Sequence, residues 1–340
     1  MRLPPARFAL ALGLGGIALA ALAAWSLTVG RFPVAALDAW RALWSALVHG
    51  GSAATSNAQA VVVEVRAPRV AAALVVGAAL SGAGAAFQAL FRNPLVSPDI
   101  LGVSSGCALG AGIAVLLALP AAATQACAFA GGIAAVALVV AIAGRVGERD
   151  PLLTLILAGV VVGTLFGAGI ALVKIVADPY NQLPAITFWL LGSFAGAAPR
   201  DLAVAAAPLV AGLVPLYLLR SRIDLLALSE DEARSLGVHV GRLRMVVIVA
   251  STLVTAAAVA IAGTIGWIGL LVPHAARMLA GAPFARVFPL ALLLGAAFML
   301  VVDTLCRSLF ASEIPPGVVT ALVGAPVFIA LLAATFRRAP

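Results

Sequence analysis

The sequence predicts an all-α integral membrane protein of about ten transmembrane helices, and three observations carry that prediction. Of 340 residues 64% are hydrophobic and 10% charged, whereas an ordinary soluble domain carries roughly 25% charge. The apolar residues fall into runs close to the ~20 residues that a spanning helix needs. The breaks between runs hold Pro, Gly and Arg rather than a second composition, so residues 1–340 read as one domain with no room for a soluble one.

The first run, Phe8 to Val29, follows Arg2 and Arg7 and is longer than the core of a cleaved signal peptide, so it is span one. Phe32 to Ala60, with Trp40 and Trp44, is amphipathic enough to lie at a membrane interface. Span two carries Gly77, Ser81, Gly82 and Gly84, small residues that let helix backbones approach. Asn93-Pro94 and Ser97-Pro98 end it, and spans three and four follow at Leu101 to Leu119 and Ala121 to Ala143. The charged turn Arg145 to Asp150 leads into span five, Leu152 to Val176. In Ala177 to Asp201 two prolines are expected to break the chain before a short apolar half-helix with Trp189. Span six is Leu202 to Leu219 and span seven Met245 to Ala262. Span eight, Ile265 to Leu279, is expected to be broken by Pro273, and spans nine and ten cover Val287 to Phe310 and Val318 to Phe336.

Ten spans put both termini on one side. Placing Arg2, Arg7, Arg92, Arg145, Arg149, Arg220, Arg222, Arg234, Arg242, Arg244, Arg277, Arg286, Arg337 and Arg338 on that side leaves seven of the 21 basic residues opposite. Those seven are Arg31, Arg41, Arg66, Arg69, Lys174, Arg200 and Arg307, and the two-to-one bias makes the termini cytoplasmic. The net charge of +8 is therefore a topology signal, and nucleic acid is not an expected partner.

Several chemistries are missing. Lys174 is the only lysine and stands between Val173 and Ile175, so no phosphate loop of the G-x-x-x-x-G-K-[ST] type exists. Gly82-Ala83-Gly84 follows no strand and lacks the third glycine of a dinucleotide fold. Cys107, Cys127 and Cys306 are scattered through apolar runs, and His49, His239 and His274 are equally scattered, so neither metal nor cofactor is expected. No paired acids or nucleophile with its base point to an intramembrane enzyme. Asp303 and Arg307 read as a plain i,i+4 pair. The scarcity of buried carboxylates counts against an ion-coupled secondary transporter, which remains the alternative class.

Arg220 to Arg244 is the one strongly polar stretch, with five arginines, four acids and a histidine. Ser229 can cap a helix whose Glu232 reaches back to the cap, while Glu230 and Asp231 suit its positive first turn and Gly237 stops it. So short a helix needs packing to persist. It is either a loop helix on its own bundle or a docking element for a cytosolic partner, and spacing leaves both open.

Five segments resemble the permease subunits of ATP-binding-cassette (ABC) importers for metal chelates, the vitamin B12, haem and ferric-siderophore group. They are RAPR at Arg66 to Arg69, GAALSGAGAAFQALFRNPLVSPDILGVSSG, LSEDEARSLGV, TIGWIGLLVPHAAR at Thr264 to Arg277 and PPGVVTALVGAPVFIALL at Pro315 to Leu332, in order and in register. GAPFARVFP at Gly281 to Pro289 departs from the family, keeping only Arg286 of an Asp-His-Arg often found there.

The resemblance implies a type II importer permease in the bacterial inner membrane. It would work as a homodimer with two copies of a separate ATPase and a periplasmic substrate-binding protein. It also implies that Ser229, Glu230, Asp231, Glu232, Ala233, Arg234, Leu236 and Gly237, within 220–244, dock on the ATPase with Leu236 buried there. Arg66, Arg69 and Arg307 would receive acids of the binding protein, the alternative being headgroup snorkelling and the Asp303 pair. Ser81, Gly84 and Gln88 are expected along a path at the dimer interface, with tight helix packing as the other reading. An iron chelate is the expected substrate, and haem, cobalamin and molybdate are the alternatives.

Overall fold

The computed structural model describes residues 4–49, 57–146, 151–309 and 312–336, and every regular element among them is helical. Arg2, Arg149, Arg337 and Arg338, part of the basic bias, lie outside the described residues, as do Phe310 and most of the turn before span five.

Helix α1 (Pro5–Thr28) is followed by α2 (Ala36–His49), whose Trp40 and Trp44 are exposed while Ala39 and Ala42 pack with Val34 and Val62. The next span is longer than expected. α3 (Asn57–Ala60), a π-helical turn (Val61–Arg66) and α4 (Ala67–Leu90) form one rod of 34 residues. The chain then turns back through a 3-10 turn (Pro98–Leu101) and enters α5 (Val103–Leu116), which is short because it starts inside the bundle. Gly102 takes φ +75° at that entry, where it lies against Gly163 of α7 (Pro151–Val176). α6 (Ala121–Val146) packs against both α5 and α7.

The half-helix is α8 (Gln182–Leu191). It starts before Pro184, which therefore sits in the first turn, where a missing N–H is tolerated. α9 (Pro199–Leu218), α10 (Arg220–Ile223), a 3-10 turn (Asp224–Ala227) and α11 (Glu230–Ser235) lead to α12 (Val240–Ala262). The expected break at Pro273 is not there: α13 (Ile268–Ala280) runs through it. The break falls earlier, at residues 263–267, with Gly263 at φ +71° and Trp267 at φ +70°. Backbone groups freed at this depth need partners. The amide of Ser193 donates to Ala262 O at 2.8 Å, and the Thr264 hydroxyl donates to Leu190 O. α14 (Phe284–Ser308) and α15 (Pro316–Phe336) complete the chain.

Among the described residues seven helices are long and apolar enough to cross a membrane, and α5, α13 and the described part of α15 are shorter apolar helices. With α8 as a half-helix this accounts for the ten expected passages. α4 is the hub, buried along most of its length against α12, α13 and α14. Its small residues explain why. A Cβ on Gly77 would collide with the carbonyl of Gly295 in α14, and one on Gly84 with the carbonyl of Gly269 in α13, so these helices meet backbone to backbone. α7 instead exposes Leu153, Leu157, Val161, Leu165 and Leu172, an apolar face suited to lipid or another chain.

Candidate coupling surface and transport interior

One end of the bundle carries α11. Ser229 Oγ accepts from the Glu232 amide at 3.3 Å, while Glu232 Oε2 accepts from the Ser229 amide at 2.9 Å and hydroxyl at 2.8 Å. These bonds hold the Glu232 carboxyl below its ordinary range. Arg234 pairs with Glu230 at 2.9 Å, and Gly237, at φ +78°, ends the turn. The helix is Glu230–Ser235, so Leu236 and Gly237, expected within it, form its cap. Its two faces differ. Ala233 is buried in the apolar cluster that holds Leu226, Val238 and Leu243, so this residue, assigned to the docking face from sequence, is the seat of the helix instead. Leu236 is 60% exposed and points away.

The segment before α11 is tied to the core at two points. Arg92, just past α4, donates from Nε to Leu226 O at 2.6 Å and from Nη2 to Leu228 O, with its own backbone at φ +50°. Asp224 accepts from the amides of Phe284 and Ala285 at the start of α14. Burial pushes the Asp224 carboxyl above its usual range even against those two donors. Arg286 lies over the Phe8 ring at 5.7 Å.

At the opposite end the three arginines assigned to docking are turned inward, each about 95% buried. Arg66 donates to Leu27 O, Thr28 O and Phe32 O. Arg69 donates to Asp303 Oδ1 at 2.8 Å and to both oxygens of Glu313 at 2.9 and 3.1 Å. Arg307 donates to Val29 O and Ser26, and its Nε lies 3.6 Å from Asp303 Oδ2. All three side chains are buried and held by hydrogen bonds within the chain, though Arg307 Nε makes none, so the expected meeting with acids of a delivery protein is not what this geometry offers. The physical reason is that buried guanidiniums need counter-charge and acceptors wherever they sit. Nor is Asp303 a plain i,i+4 partner of Arg307, since its shorter contact is with Arg69 of α4.

The three path residues are also interior to a single chain. Ser81 is fully buried beside Gly295, with no hydrogen-bond partner for its hydroxyl, and Gly84 rests on Gly269. Gln88 donates to Leu270 O at 3.1 Å and accepts from Arg277 at 3.0 Å. Tight packing is the reading the structure supports for Ser81 and Gly84, whereas Gln88 is held by hydrogen bonds at the edge of a cleft. The sequence missed a cleft of about 270 Å³ at the heads of α5 and α13, lined by Ser97, Asp99, Ser104, Thr255 and Trp267. In it the Ser104 hydroxyl donates to Asp99. The available signal is Pro98-Asp99 followed by Gly102, a helix-entry pattern as well as a break. Among the described residues no three His, Cys, Asp or Glu side chains are grouped to hold a metal.

Most of the chain matches known permeases. Residues 18–334 match the model of the FecCD transport family. The chain is 39% identical to the molybdate import system permease protein of Haemophilus influenzae, over 89% of each chain. It is 40% identical to a Helicobacter pylori protein named as a probable iron chelatin transport system permease, over 82% of this chain and 83% of that one. A solved inward-facing metal-chelate type ABC transporter superposes with a TM-score of 0.85 at 37% identity, covering 95% of this chain and 98% of the other. The glycine-seamed helical bundle, its multiple apolar spans and these matches together establish that the chain belongs to the FecCD transport family, as a multi-pass membrane permease of an ABC importer.

Proposed function

We propose that residues 1–340 form one permease domain that pairs with a second copy of itself, binds two copies of a cytoplasmic ATPase, and imports an iron chelate delivered by a periplasmic binding protein. The observation that carries this reading is α11. A reciprocal cap fixes the helix, Ala233 seats it, Leu236 faces outward, and Arg92 and Asp224 tie it to α4 and α14. A helix so fixed suits the transmission of a partner's motion to the transport core. The coupling segment is 220–244, with Ser229, Glu230, Asp231, Glu232, Arg234, Leu236 and Gly237 at or beside the partner and Ala233 beneath them. The basic bias of the sequence supports an inner-membrane topology with the α11 end and both termini cytoplasmic. With no phosphate loop in the sequence, hydrolysis belongs to the partner and the chain itself is not an enzyme.

An iron chelate is supported by the name of the Helicobacter pylori relative, and a second reading, molybdate, by that of the Haemophilus influenzae one. Mass spectrometry of the ligand held by the cognate binding protein separates the two. Uptake into proteoliposomes tests the importer itself: it should require the ATPase subunit and ATP. Uptake driven by an ion gradient without that subunit would overturn the reading in favour of a secondary transporter.

A further inference from the structure

Beside α11 the chain has a cleft of about 230 Å³ framed by three connecting segments. They are the turn after α4 (Arg92, Asn93, Pro94), the stretch from Ile223 to Ala227, and the link from α13 into α14 (Ala282, with Phe284 opening α14). Two arginines line it, Arg92 and Arg277, and among the described residues no carboxylate lies within 4.0 Å of either guanidinium. The one acid in the lining, Asp224, directs its two oxygens to the amides of Phe284 and Ala285. The far end of the bundle differs in kind, because Arg69 and Arg307 there share Asp303.

Both guanidiniums are held in place without being neutralised. Arg277 donates to Gln88 Oε1, and Gln88 is fixed in turn by its own bond to Leu270 O. Arg92 is held by the carbonyls of Leu226 and Leu228 on a left-handed backbone that a side-chain-bearing residue adopts only at a cost. Two forks so held, in a partly desolvated cleft whose one acid, Asp224, is turned to backbone amides and not to them, form a receptor for a small anionic group.

We infer that this cleft is an anion socket that takes an Asp or Glu side chain of the ATPase subunit, a second contact beside α11. The inference rests on the proposed coupling role of α11. A protein carboxylate is favoured over a lipid phosphate by the rim. The exposed residues around the opening, Arg92, Asn93, Pro94, Ala227 and Ala282, all belong to connecting segments and not to the outward face of a spanning helix. The rim also runs directly through Leu228 into Ser229, so a subunit seated on Leu236 lies over it.

The test measures affinity of the purified ATPase for the full permease in nanodiscs across a salt series, for wild type, Arg277→Gln, Ala282→Glu and Leu236→Glu. Arg277→Gln should weaken binding roughly 30-fold at low salt and flatten the salt dependence, as loss of one partner of a desolvated charge pair does. Ala282→Glu adds a carboxylate at an exposed rim position, keeps the core intact and should fill the socket in cis with the same result. Unchanged affinity in both overturns the socket. Unchanged ATPase affinity with loss of co-purifying anionic phospholipid, read by native mass spectrometry, also overturns it and assigns the cleft to lipid. If Leu236→Glu is silent while the two socket variants weaken binding, the socket stands and the α11 reading fails.

Discussion

Replacing Asp303 by Ala should destabilise the permease far more than replacing Glu313 by Ala, although both acids hold the same arginine. Asp303 is fully buried and touches Arg69 at 2.8 Å and Arg307 at 3.6 Å. Its removal leaves Arg307 with neutral oxygen acceptors only, Val29 O and Ser26. Breaking a buried pair by deleting one partner costs about 3–5 kcal/mol, because the remaining charge stays desolvated. Glu313 has 42% of its side chain exposed and meets one arginine, which keeps Asp303 when Glu313 is gone. Solvent reaches that pair, so its loss should cost less than about 1 kcal/mol. Reversible unfolding by denaturing detergent in mixed micelles reads both values, and Asp303→Asn, which keeps shape and one acceptor, should fall between them. Equal destabilisation by the two alanine variants, or Asp303→Ala within about 1 kcal/mol of wild type, would refute the idea that Asp303 is the charge around which this end is built.

Ser81→Ala should leave stability within about 1 kcal/mol of wild type or improve it, because the buried hydroxyl has no partner to lose; Gly84→Val should abolish the folded, monodisperse peak in size-exclusion chromatography, since its side chain would enter the Gly269 backbone. Gly237→Val places a β-branched residue at φ +78° and should cost about 1–2 kcal/mol locally; the expected readout is ATP hydrolysis that continues while uptake falls. The cap of α11 should weaken in acid. The Glu232 carboxyl is lowered in the folded state, so its stabilising share is complete above the ordinary glutamate range and is lost as pH falls through the lowered value. Amide exchange of residues 230–235 against pH reads this, and protection that rises on acidification would contradict it.

The spans were legible because bilayer thickness imposes a length that composition reveals, and α11 because a capping box is a local pattern of Ser229 and Glu232. What escaped was long-range or a matter of depth. Pro273 looked like a break, yet the helix runs through it, because the interruption was already supplied by Gly263 and Trp267, ten and six residues before it. Arg66, Arg69 and Arg307 looked exposed by topology. Their partners, Ser26 to Phe32 on one side of the sequence and Asp303 with Glu313 on the other, lie up to 281 positions away and leave no periodic trace. Ser81 and Gly84 were ambiguous in sequence because a small residue serves a path and a helix seam equally, and the facing Gly295 and Gly269 decide for the seam.

The rod from Asn57 to Leu90 has a mechanical consequence. At 1.5 Å per residue its 34 residues reach about 51 Å, and even a tilt of about 40° lets a hydrocarbon layer of ~30 Å hide only about 39 Å of it. It therefore behaves as a stiff lever with its short arm in one headgroup layer. Between Leu90 and Arg66 the arm is about 36 Å, so a rotation of about 5° at the Leu90 end sweeps the Arg66 end through about 3 Å. That stroke equals the length of a hydrogen bond. At Gly77, about 20 Å from Leu90, the same rotation is about 1.7 Å, so α14, seated on Gly77 through Gly295, has to move with the rod when Arg66 exchanges the oxygens it grips on the α1–α2 link.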